Sequence, residues 1–510
     1  MKHFIFLFSI GLSFFSCVLS SDDKLYNSTD NPYINELESM RISWDGSSIT
    51  FKYEENPSAD TQYQWYKSFD DTYTNCITLN GETNNSFSTG SLEKGIHYYY
   101  CTSTNASLSE TKYFSVAYTG LPLIIIDTIN MEEPTAEYVS AKENGGNYGA
   151  TLKNATKVPA KMHIFKDGSL HSIYNSGDYS ENTAGLTIKL RGNTSAYGQK
   201  KPYKLKLQDK EDLLADIIGR NAYGYKSKDW LLLNTATSLC TVIGFAVSDI
   251  AGIEWTPEYA FVDVVLNGNY KGCYLLCEAI SRGAKRINVS DEGYIIERDA
   301  YWWNTDVKFI TDLNQKYTFK YPDSDSISAS QITYIKNYMN HVEKEILNGT
   351  YEAYIDTESF ARWQLIHDIL GTWDACGSNI YMSKYDSTEN SKIRMCTPWD
   401  FDSIFRMKNA WSNVHHGNRI YSQLLFSNSN SAFLDSYKAQ WNSLSSILEN
   451  EVSAELNKLY TKSGNAINLS RQFNSKRWNI TFNTIESDIT KANTWFTNRT
   501  NWLNTQTGGM

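Results

Sequence analysis

Acidic and amide side chains are concentrated in the stretch from residue 373 to residue 405. Asp374 and Asn379 stand five positions apart, and Asp400 and Asp402 follow after a polar gap. A carboxylate that accepts a hydroxyl proton, with an amide and a second carboxylate to hold Mg²⁺, is the minimum equipment for moving a phosphoryl group. Because Asp and Asn are also common in loops, the pattern indicates this chemistry only together with the residues around it.

The spacing of these residues is a second indication of phosphoryl-transfer chemistry. Asp374 and Asn379 have the Asp-x-x-x-x-Asn spacing of the protein-kinase catalytic loop, and Asp400-Phe-Asp402 stands where such enzymes carry Asp-Phe-Gly. Glycoside hydrolysis by Asp400 and Asp402 is a weaker alternative. Alternate side chains of an extended segment point apart, whereas the two carboxylates of a glycosidase flank one bond.

Residues 186–207 predict a β-hairpin with a basic second strand. Its Gly/Asn/Ser turn lets backbone amides approach phosphate oxygens. In the second strand three apolar side chains alternate with Lys204 and Lys206, so the two lysines share one face. Lys206 or the turn-proximal Lys201 is therefore the best candidate to contact phosphates. The alternative is a solvated basic edge that deters aggregation.

Several motifs in a fixed order resemble one known family. They are Arg191-Gly-Asn-Thr-Ser, Lys200-Lys-Pro-Tyr-Lys-Leu-Lys-Leu, the segment from Val265 to Glu278, Gly293-Tyr-Ile-Ile-Glu, and the set Asp374, Asn379 and Trp399-Asp-Phe-Asp. This order is similar to that of the spore coat protein H (CotH) kinase family, and the resemblance spans roughly residues 121–410.

The resemblance implies an atypical protein-kinase-like fold that uses ATP and Mg²⁺ (or Mn²⁺) to phosphorylate secreted or spore-coat proteins. It implies Asp374 as the catalytic carboxylate, Asn379 and Asp400 as metal ligands, and Asp402 as a further possible ligand. The residues that it implies near the nucleotide are Lys206 or Lys201, Arg191, Asn193 and Glu278. Glu278 has an equally weighted alternative as a buried structural carboxylate.

One segment departs from the family pattern. Relatives usually carry an Asp and an Arg near the start of the helix that follows the Trp-x-Leu-Leu stretch. Here residues 234–244 contain neither, although residues 238–251 still have the apolar spacing of a buried helix. The departure puts catalytic activity in question.

The predicted fold class is α+β: an atypical bilobal protein-kinase-like domain preceded by an all-β, immunoglobulin-like sandwich. Trp65 is the predicted core tryptophan of the sandwich, and Tyr99 resembles a tyrosine corner. The predicted divisions are a signal peptide at 1–20, the sandwich at 22–118, and the kinase-like domain at 121–505 with an N-lobe at about 121–300 and a helical C-lobe at about 326–505.

The composition and the net charge indicate in which compartment the protein works and which partners it can have. The formal net charge of −10 and a pI near 5.4 argue against a nucleic-acid partner. The apolar run from Phe4 to Phe15 is typical of a secretory signal, and no later run is long enough to span a membrane. Ten Asn-x-Ser/Thr sequons fit a glycosylating lumen. The sequence therefore predicts a secreted or extracytoplasmic glycoprotein without a transmembrane segment.

Seven cysteines remain after the predicted signal, and an oxidising compartment favours disulfides. The predicted pairs are Cys76 with Cys101 and, as a hypothesis, Cys376 with Cys396 across the candidate site. The spacing of Cys273 and Cys277 does not form a zinc pattern.

Two functions follow from these observations. The first is a secreted protein kinase that acts on secreted or surface proteins. The second is a non-catalytic surface or secreted binding protein that keeps the kinase-like scaffold and uses residues 22–118 to bind a glycan or protein ligand.

Overall fold

The computed structural model describes residues 37–106, 108–140, 150–177, 185–372, 375, 377–404 and 419–508. All of these belong to one compact unit, Asn35–Met510. Asp374, Cys376 and the predicted signal peptide lie outside the described residues.

Alternating apolar side chains place seven short strands before residue 119. They are β1 (Met40–Ser43), β2 (Thr50–Lys52), β3 (Gln62–Ser68), β4 (Cys76–Thr78), β5 (Ser86–Ser88), β6 (Gly95–Thr104) and β7 (Ser109–Tyr118). One sheet has the order β1-β7-β6-β3-β4, and β2 pairs with β5. Phe51, Trp65 and Phe114 belong to the core that these strands share. Trp65 is fully buried, as predicted.

The predicted Cys76–Cys101 disulfide is wrong. Both cysteines are free thiols, and β3 lies between their strands in the sheet. Two strand spacings amount to roughly 10 Å, whereas a disulfide needs Cα atoms within about 7 Å. The Sγ atom of Cys76 instead lies 3.1 Å from the hydroxyl of Tyr100.

The next part of the chain forms a barrel. The strands of this part of the chain are β8 (Leu123–Thr128), β9 (Glu137–Ser140), β10 (Ala150–Lys153), β11 (Val158–Phe165), β12 (Tyr174–Asn175), β13 (Leu186–Leu190), β14 (Tyr203–Glu211), β15 (Ser227–Leu233), β16 (Tyr259–Leu266) and β17 (Asn269–Glu278), and all but β9 and β10 belong to the barrel sheet. The order is β12-β11-β13-β14-β15-β17-β16-β8, and β8 also pairs with β11, so the sheet closes on itself. The separate β9–β10 hairpin lies outside this order.

Alternation along β14 decides which side chains fill the barrel. Tyr203, Leu205 and Leu207 are buried in the core that the barrel strands share, while Lys204 and Lys206 occupy the opposite face. The predicted division of this strand is confirmed. The same outer face carries Leu231 and Leu233 of β15, which pack with α2 (Cys240–Ile250) in a second core. A short helix, α1 (Ala215–Ile218), precedes β15.

A second, antiparallel sheet and a set of helices complete the chain. The strands are β18 (Tyr294–Arg298), β19 (Lys308–Ile310), β20 (Lys316–Tyr321), β21 (Ile380–Lys384) and β22 (Ile393–Met395), in the order β19-β20-β18-β21-β22. The helices are α3 (Ala329–Asn348), α4 (Thr357–Leu370), α5 (Ile420–Phe426), α6 (Ala432–Leu444), α7 (Leu448–Trp478) and α8 (Ile485–Gly508). The predicted α+β class is therefore confirmed.

Capping interactions fix both ends of α4, and its C-terminal end leads directly into the candidate site. At the start of α4 the side chain of Asp356 accepts a hydrogen bond from the Ser359 backbone N–H at 3.1 Å. Gly371 ends the helix at a φ of 63°, a left-handed conformation that glycine adopts without strain. None of the helices in the described ranges is long and apolar enough to cross a membrane.

Candidate active site

Asn379 and Asp400 meet although 21 residues separate them. The Nδ2 atom of Asn379 donates to Oδ2 of Asp400 at 3.0 Å. Asn379 directly precedes β21, and Asp400 follows β22, which pairs with β21. Their φ angles are 59° and 66°. Asn and Asp tolerate this left-handed region better than most residues, so the local backbone favours the residue types that the site needs.

The ring of Phe401 holds this segment against α2. A Cβ atom on Gly244 would lie 2.1 Å from that ring, so only a glycine allows such close approach. Phe245 meets Phe401 edge-on, with 5.8 Å between the ring centroids, and lies 5.8 Å from Trp399. Helix α2 therefore fixes the residues on both sides of Asp400.

Asp402 lies near the first turn of α2. Burial raises the pKa of the Cys240 thiol, and the charges of Asp488 and Asp402 raise it further. Asp400 and Asp402 are both partly exposed.

The donor chemistry of Asn379 and Asp400 fits Mg²⁺, which prefers carboxylate and amide oxygens and keeps several sites for water and phosphate. Within the described ranges, no three His, Cys, Asp or Glu residues group into a metal site. These two residues, with Asp402 close in sequence, are the ones that would hold the ion. Asp374 lies outside the described residues.

A buried ion pair from the C-terminal helices stands at the start of α2, where the sequence lacks its own Asp and Arg. Arg471 donates from Nε to the Ala236 carbonyl at 2.7 Å and from Nη1 to Asp488 at 3.0 Å. Asp488 also accepts from the Leu239 backbone N–H at 2.9 Å. The capping of α2 thus comes from α7 and α8.

The candidate lysines lie in different environments. Lys206 is exposed, and Lys201 donates from Nζ to the Ala196 carbonyl at 2.9 Å. Lys204 pairs with Asp229 at 2.6 Å. Lys200 is buried, with its Nζ donating to the Cys273 carbonyl and lying 4.5 Å from the Tyr274 ring centroid.

Asn193 is held by the β9–β10 hairpin. Its side-chain oxygen accepts from the Thr151 hydroxyl, and its carbonyl accepts from the Tyr138 hydroxyl. Arg191, two residues earlier, directly follows β13. The field of Arg191 reaches Cys277 of β17, where it lowers a thiol pKa that burial has raised.

Glu278 is completely buried in a network of ion pairs. Its Oε1 lies 2.7 Å from Arg220 and 3.4 Å from Arg286, and its Oε2 accepts from Trp255 Nε1 at 3.2 Å. The Glu258 backbone N–H donates to the same oxygen at 3.1 Å. Both carboxylate oxygens are therefore committed to protein donors.

His367 is a buried histidine near the end of α4. Its Nδ1 lies 2.6 Å from the Thr372 hydroxyl, and burial holds its pKa well below the usual range, helped by the charge of Arg419. Arg419 also donates to the Thr372 carbonyl at 2.6 Å, so both residues hold the chain just before residue 373.

Sequence reasoning missed a Lys–Glu pair in the second sheet. Nζ of Lys320 on β20 lies 2.7 Å from Oε2 of Glu297 on β18, and Tyr381 of β21 hydrogen-bonds the same carboxylate. Glu297 closes one of the motifs quoted above, but its lysine partner is 23 residues away. The alternation of polar and apolar residues in Lys316–Tyr321 was the available signal.

The comparison with known families agrees with this arrangement. Residues 188–503 match the family model described as CotH kinase protein, which is more than half of the chain, and the protein belongs to this family. The resemblance drawn from the sequence motifs is confirmed.

Two solved structures are similar to parts of the chain. A proinflammatory kinase of Helicobacter pylori, CtkA, shares 10% identity over 52% of this chain and 90% of that chain, with a TM-score of 0.24. The N-terminal eight Ig domains of a Down Syndrome Cell Adhesion Molecule isoform share 11% identity over 57% of this chain and 44% of that chain, with a TM-score of 0.14. At these TM-scores neither likeness defines the fold. No curated protein matches the chain.

Proposed function

We propose that this protein is a secreted atypical protein kinase with a bilobal kinase-like domain. It transfers the γ-phosphoryl group of ATP to hydroxyl side chains of secreted or surface proteins. The observation that carries the proposal is the contact of Asn379 with Asp400, held between β21 and α2. Membership of the CotH kinase family supports the same activity.

Each residue has a defined part in this reaction. Asn379 and Asp400 would hold Mg²⁺, which when bound neutralises charge on the β- and γ-phosphates. Asp374 would accept the proton of the attacking hydroxyl. The basic outer face of β13 and β14 would draw the polyphosphate towards the metal ligands, because an opposite field concentrates an anion at a cleft. Most of the acceleration would come from electrostatic stabilisation and positioning.

The test is transfer of labelled phosphate from ATP to the protein itself or to a secreted-protein mixture. Asp374→Asn should abolish transfer while the protein keeps its melting temperature. Asp306→Asn, a change at an exposed aspartate outside the site, is the matched control and should transfer at the wild-type rate. If the wild type neither binds ATP nor transfers phosphate with Mg²⁺ or Mn²⁺, the proposal fails.

An exposed aromatic face favours a second function, recognition of a glycan or protein by an immunoglobulin-like module at residues 22–118. On the five-stranded sheet Tyr66 and Tyr100 stack with centroids 4.4 Å apart and planes at 5°. Tyr113 is 53% exposed beside them, and Phe69 is 59% exposed. Flat aromatic surfaces of this kind are typical of recognition sites.

Binding to a glycan array separates this function from catalysis. Tyr113→Ala should remove binding while phosphate transfer is unchanged, because the tyrosine lies on β7, outside the candidate active site. Leu108→Ala, a change at another largely exposed residue next to β7, is the control. Equal array signals for the wild type and Tyr113→Ala would reject this surface as the binding site.

A further inference from the structure

Buried polar side chains hold the chain just before Asp374. His367, Thr372 and Arg419 are all buried. Nδ1 of His367 lies 2.6 Å from the Thr372 hydroxyl. Nη2 of Arg419 donates to the Thr372 carbonyl at 2.6 Å and lies 3.4 Å from the same hydroxyl. Thr372 is therefore held through both its backbone and its side chain.

Further contacts keep His367 and Arg419 in place. Nη1 of Arg419 lies 3.7 Å from Oδ1 of Asp368, and the Tyr437 hydroxyl donates to Oδ2 of Asp368 at 3.0 Å. The ring of Trp363 lies beside that of His367, with 4.2 Å between the ring centroids. Side chains of α4 and α6, with the residue that precedes α5, thus form one buried group around Thr372.

This group is joined in sequence to both parts of the candidate site. Thr372 stands two positions before Asp374, and Ala375, one position after it, is buried in the large core of the helices and the second sheet. Arg419 follows Asp402 by 17 positions. Arg419 therefore ties the chain that follows the candidate metal ligands to the chain that precedes Asp374.

The chemistry of the group favours a role in positioning over a role in stability alone. Burying a guanidinium and a carboxylate is costly, and apolar side chains of similar volume often stabilise a core at least as well. Hydrogen bonds to one carbonyl and one hydroxyl add a defined direction, which apolar packing does not give. A catalytic carboxylate needs such definition, because a displacement of about 1 Å can cost a hundredfold in rate.

We propose that His367 and Arg419 are positioning residues, and that they act through Thr372 to place Asp374 for accepting the proton of the attacking hydroxyl. This rests on the proposed function. The contacts of both residues converge on Thr372 and not on Asn379 or Asp400. Their removal should therefore slow the transfer step and leave ATP binding unchanged.

The test on the full protein separates the rate of transfer from the affinity for ATP. Thr372→Val removes the hydroxyl at nearly constant volume. The rate of phosphate transfer to the protein itself at saturating Mg-ATP should fall by about tenfold to a hundredfold. Calorimetric titration should give an ATP Kd within about twofold of the wild type. Thr372→Ser keeps the hydroxyl and should transfer close to the wild-type rate.

Thr119→Val is the matched control. Thr119 is also buried, and its hydroxyl donates to Asp263 of the barrel at 2.7 Å. This change should lower the melting temperature without slowing transfer. Arg419→Lys gives a second measurement, since it keeps the charge near Asp368 but replaces a planar fork of donors by a single ammonium. It should slow transfer at unchanged ATP affinity.

Transfer at the wild-type rate in both Thr372→Val and Arg419→Lys would overturn the positioning role while the proposed function stands. The same conclusion would follow if Thr372→Ser were as slow as Thr372→Val, or if Thr119→Val slowed transfer equally. Absence of transfer by the wild type would instead overturn the proposed function and this inference together.

Discussion

Arg471 of α7 and Asp488 of α8 form a buried ion pair over the start of α2, with 3.0 Å between Nη1 and Oδ2. Their side chains are 0% and 6% exposed. Relatives usually carry an Asp and an Arg near the start of this helix, and this sequence lacks both there. The residues that hydrogen-bond the start of α2 here lie more than 200 positions later in the chain. The C-terminal helices thereby help to place the segment that carries Asp400.

Removing one partner of this pair should be costly. Asp488→Ala leaves a buried guanidinium uncompensated and the Leu239 N–H without its acceptor, so the free energy of unfolding should fall by about 3–5 kcal/mol. Urea denaturation measures this. Glu455→Ala removes a partner of the exposed Lys458 pair and should change the free energy by less than about 1 kcal/mol. Equal effects of the two changes would contradict the structural role of Asp488.

Gly244→Ala tests the contact that holds Phe401. The new methyl group would lie 2.1 Å from the ring, so the phenylalanine and the adjoining Asp400 must shift. Overpacking of this kind costs about 1–3 kcal/mol, and metal-dependent ATP binding should weaken as well. Gly508→Ala adds a methyl group with no atom within 4 Å and is the control at another helical glycine. A Gly244→Ala protein as stable and as active as the control would show that the contact is dispensable.

The free energy of unfolding should depend on pH because the buried Lys200 loses its proton at a lower pH in the folded protein than in the unfolded chain. Burial lowers its pKa from 10.5 to about 8, despite the nearby Cys273 and Asp263. Between these two values the unfolded chain holds a proton that the folded protein does not, so the free energy of unfolding rises with pH. The contribution from pH 8 to 10.5 should be about 3 kcal/mol.

Lys200→Met should remove that rise, and guanidinium denaturation at a series of pH values measures it. Lys458→Met, a change at an exposed lysine of α7, should keep the wild-type slope. If Lys200→Met and the wild type show the same slope between pH 8 and 10.5, the lysine is not buried as described.

The order of the strands in the sheet, and not the redox state of the compartment, should decide whether Cys76 and Cys101 form a disulfide. Because β3 separates Cys76 from Cys101, non-reduced peptide mapping should recover both as free thiols. Cys101 should react only after denaturation, since burial raises its pKa to about 12. A peptide with Cys76 joined to Cys101 would show that the strand order of the module is wrong.

Much of the fold could be read from local periodicity. The alternation in β14 predicted which side chains enter the barrel, and the apolar spacing of residues 238–251 predicted the buried helix α2. In both cases neighbouring residues on one strand or helix carried the information. The resemblance to the family implied that Asn379 and Asp400 both hold metal, but the hydrogen bond between them was not predicted.

Contacts between distant segments were not predictable. The Lys320–Glu297 pair joins β18 to β20, and the Arg471–Asp488 pair reaches α2 from the end of the chain. A single sequence shows that the residues at these positions are charged, but it does not show which residues they pair with. The wrong prediction of a Cys76–Cys101 disulfide has the same origin. An oxidising compartment favours disulfides in general, but the order of the strands in the sheet decides whether two particular cysteines can meet.

The most direct test of the central claim is a calorimetric titration of ATP into the purified protein, with Mg²⁺ and then with EDTA, for the wild type and Asp400→Asn. We expect the wild type to bind ATP in Mg²⁺, and EDTA or Asp400→Asn to weaken binding by at least about tenfold. A wild-type protein that binds no ATP, or an Asp400→Asn protein that binds it equally well with and without Mg²⁺, would show that Asn379 and Asp400 do not form a metal-dependent nucleotide site.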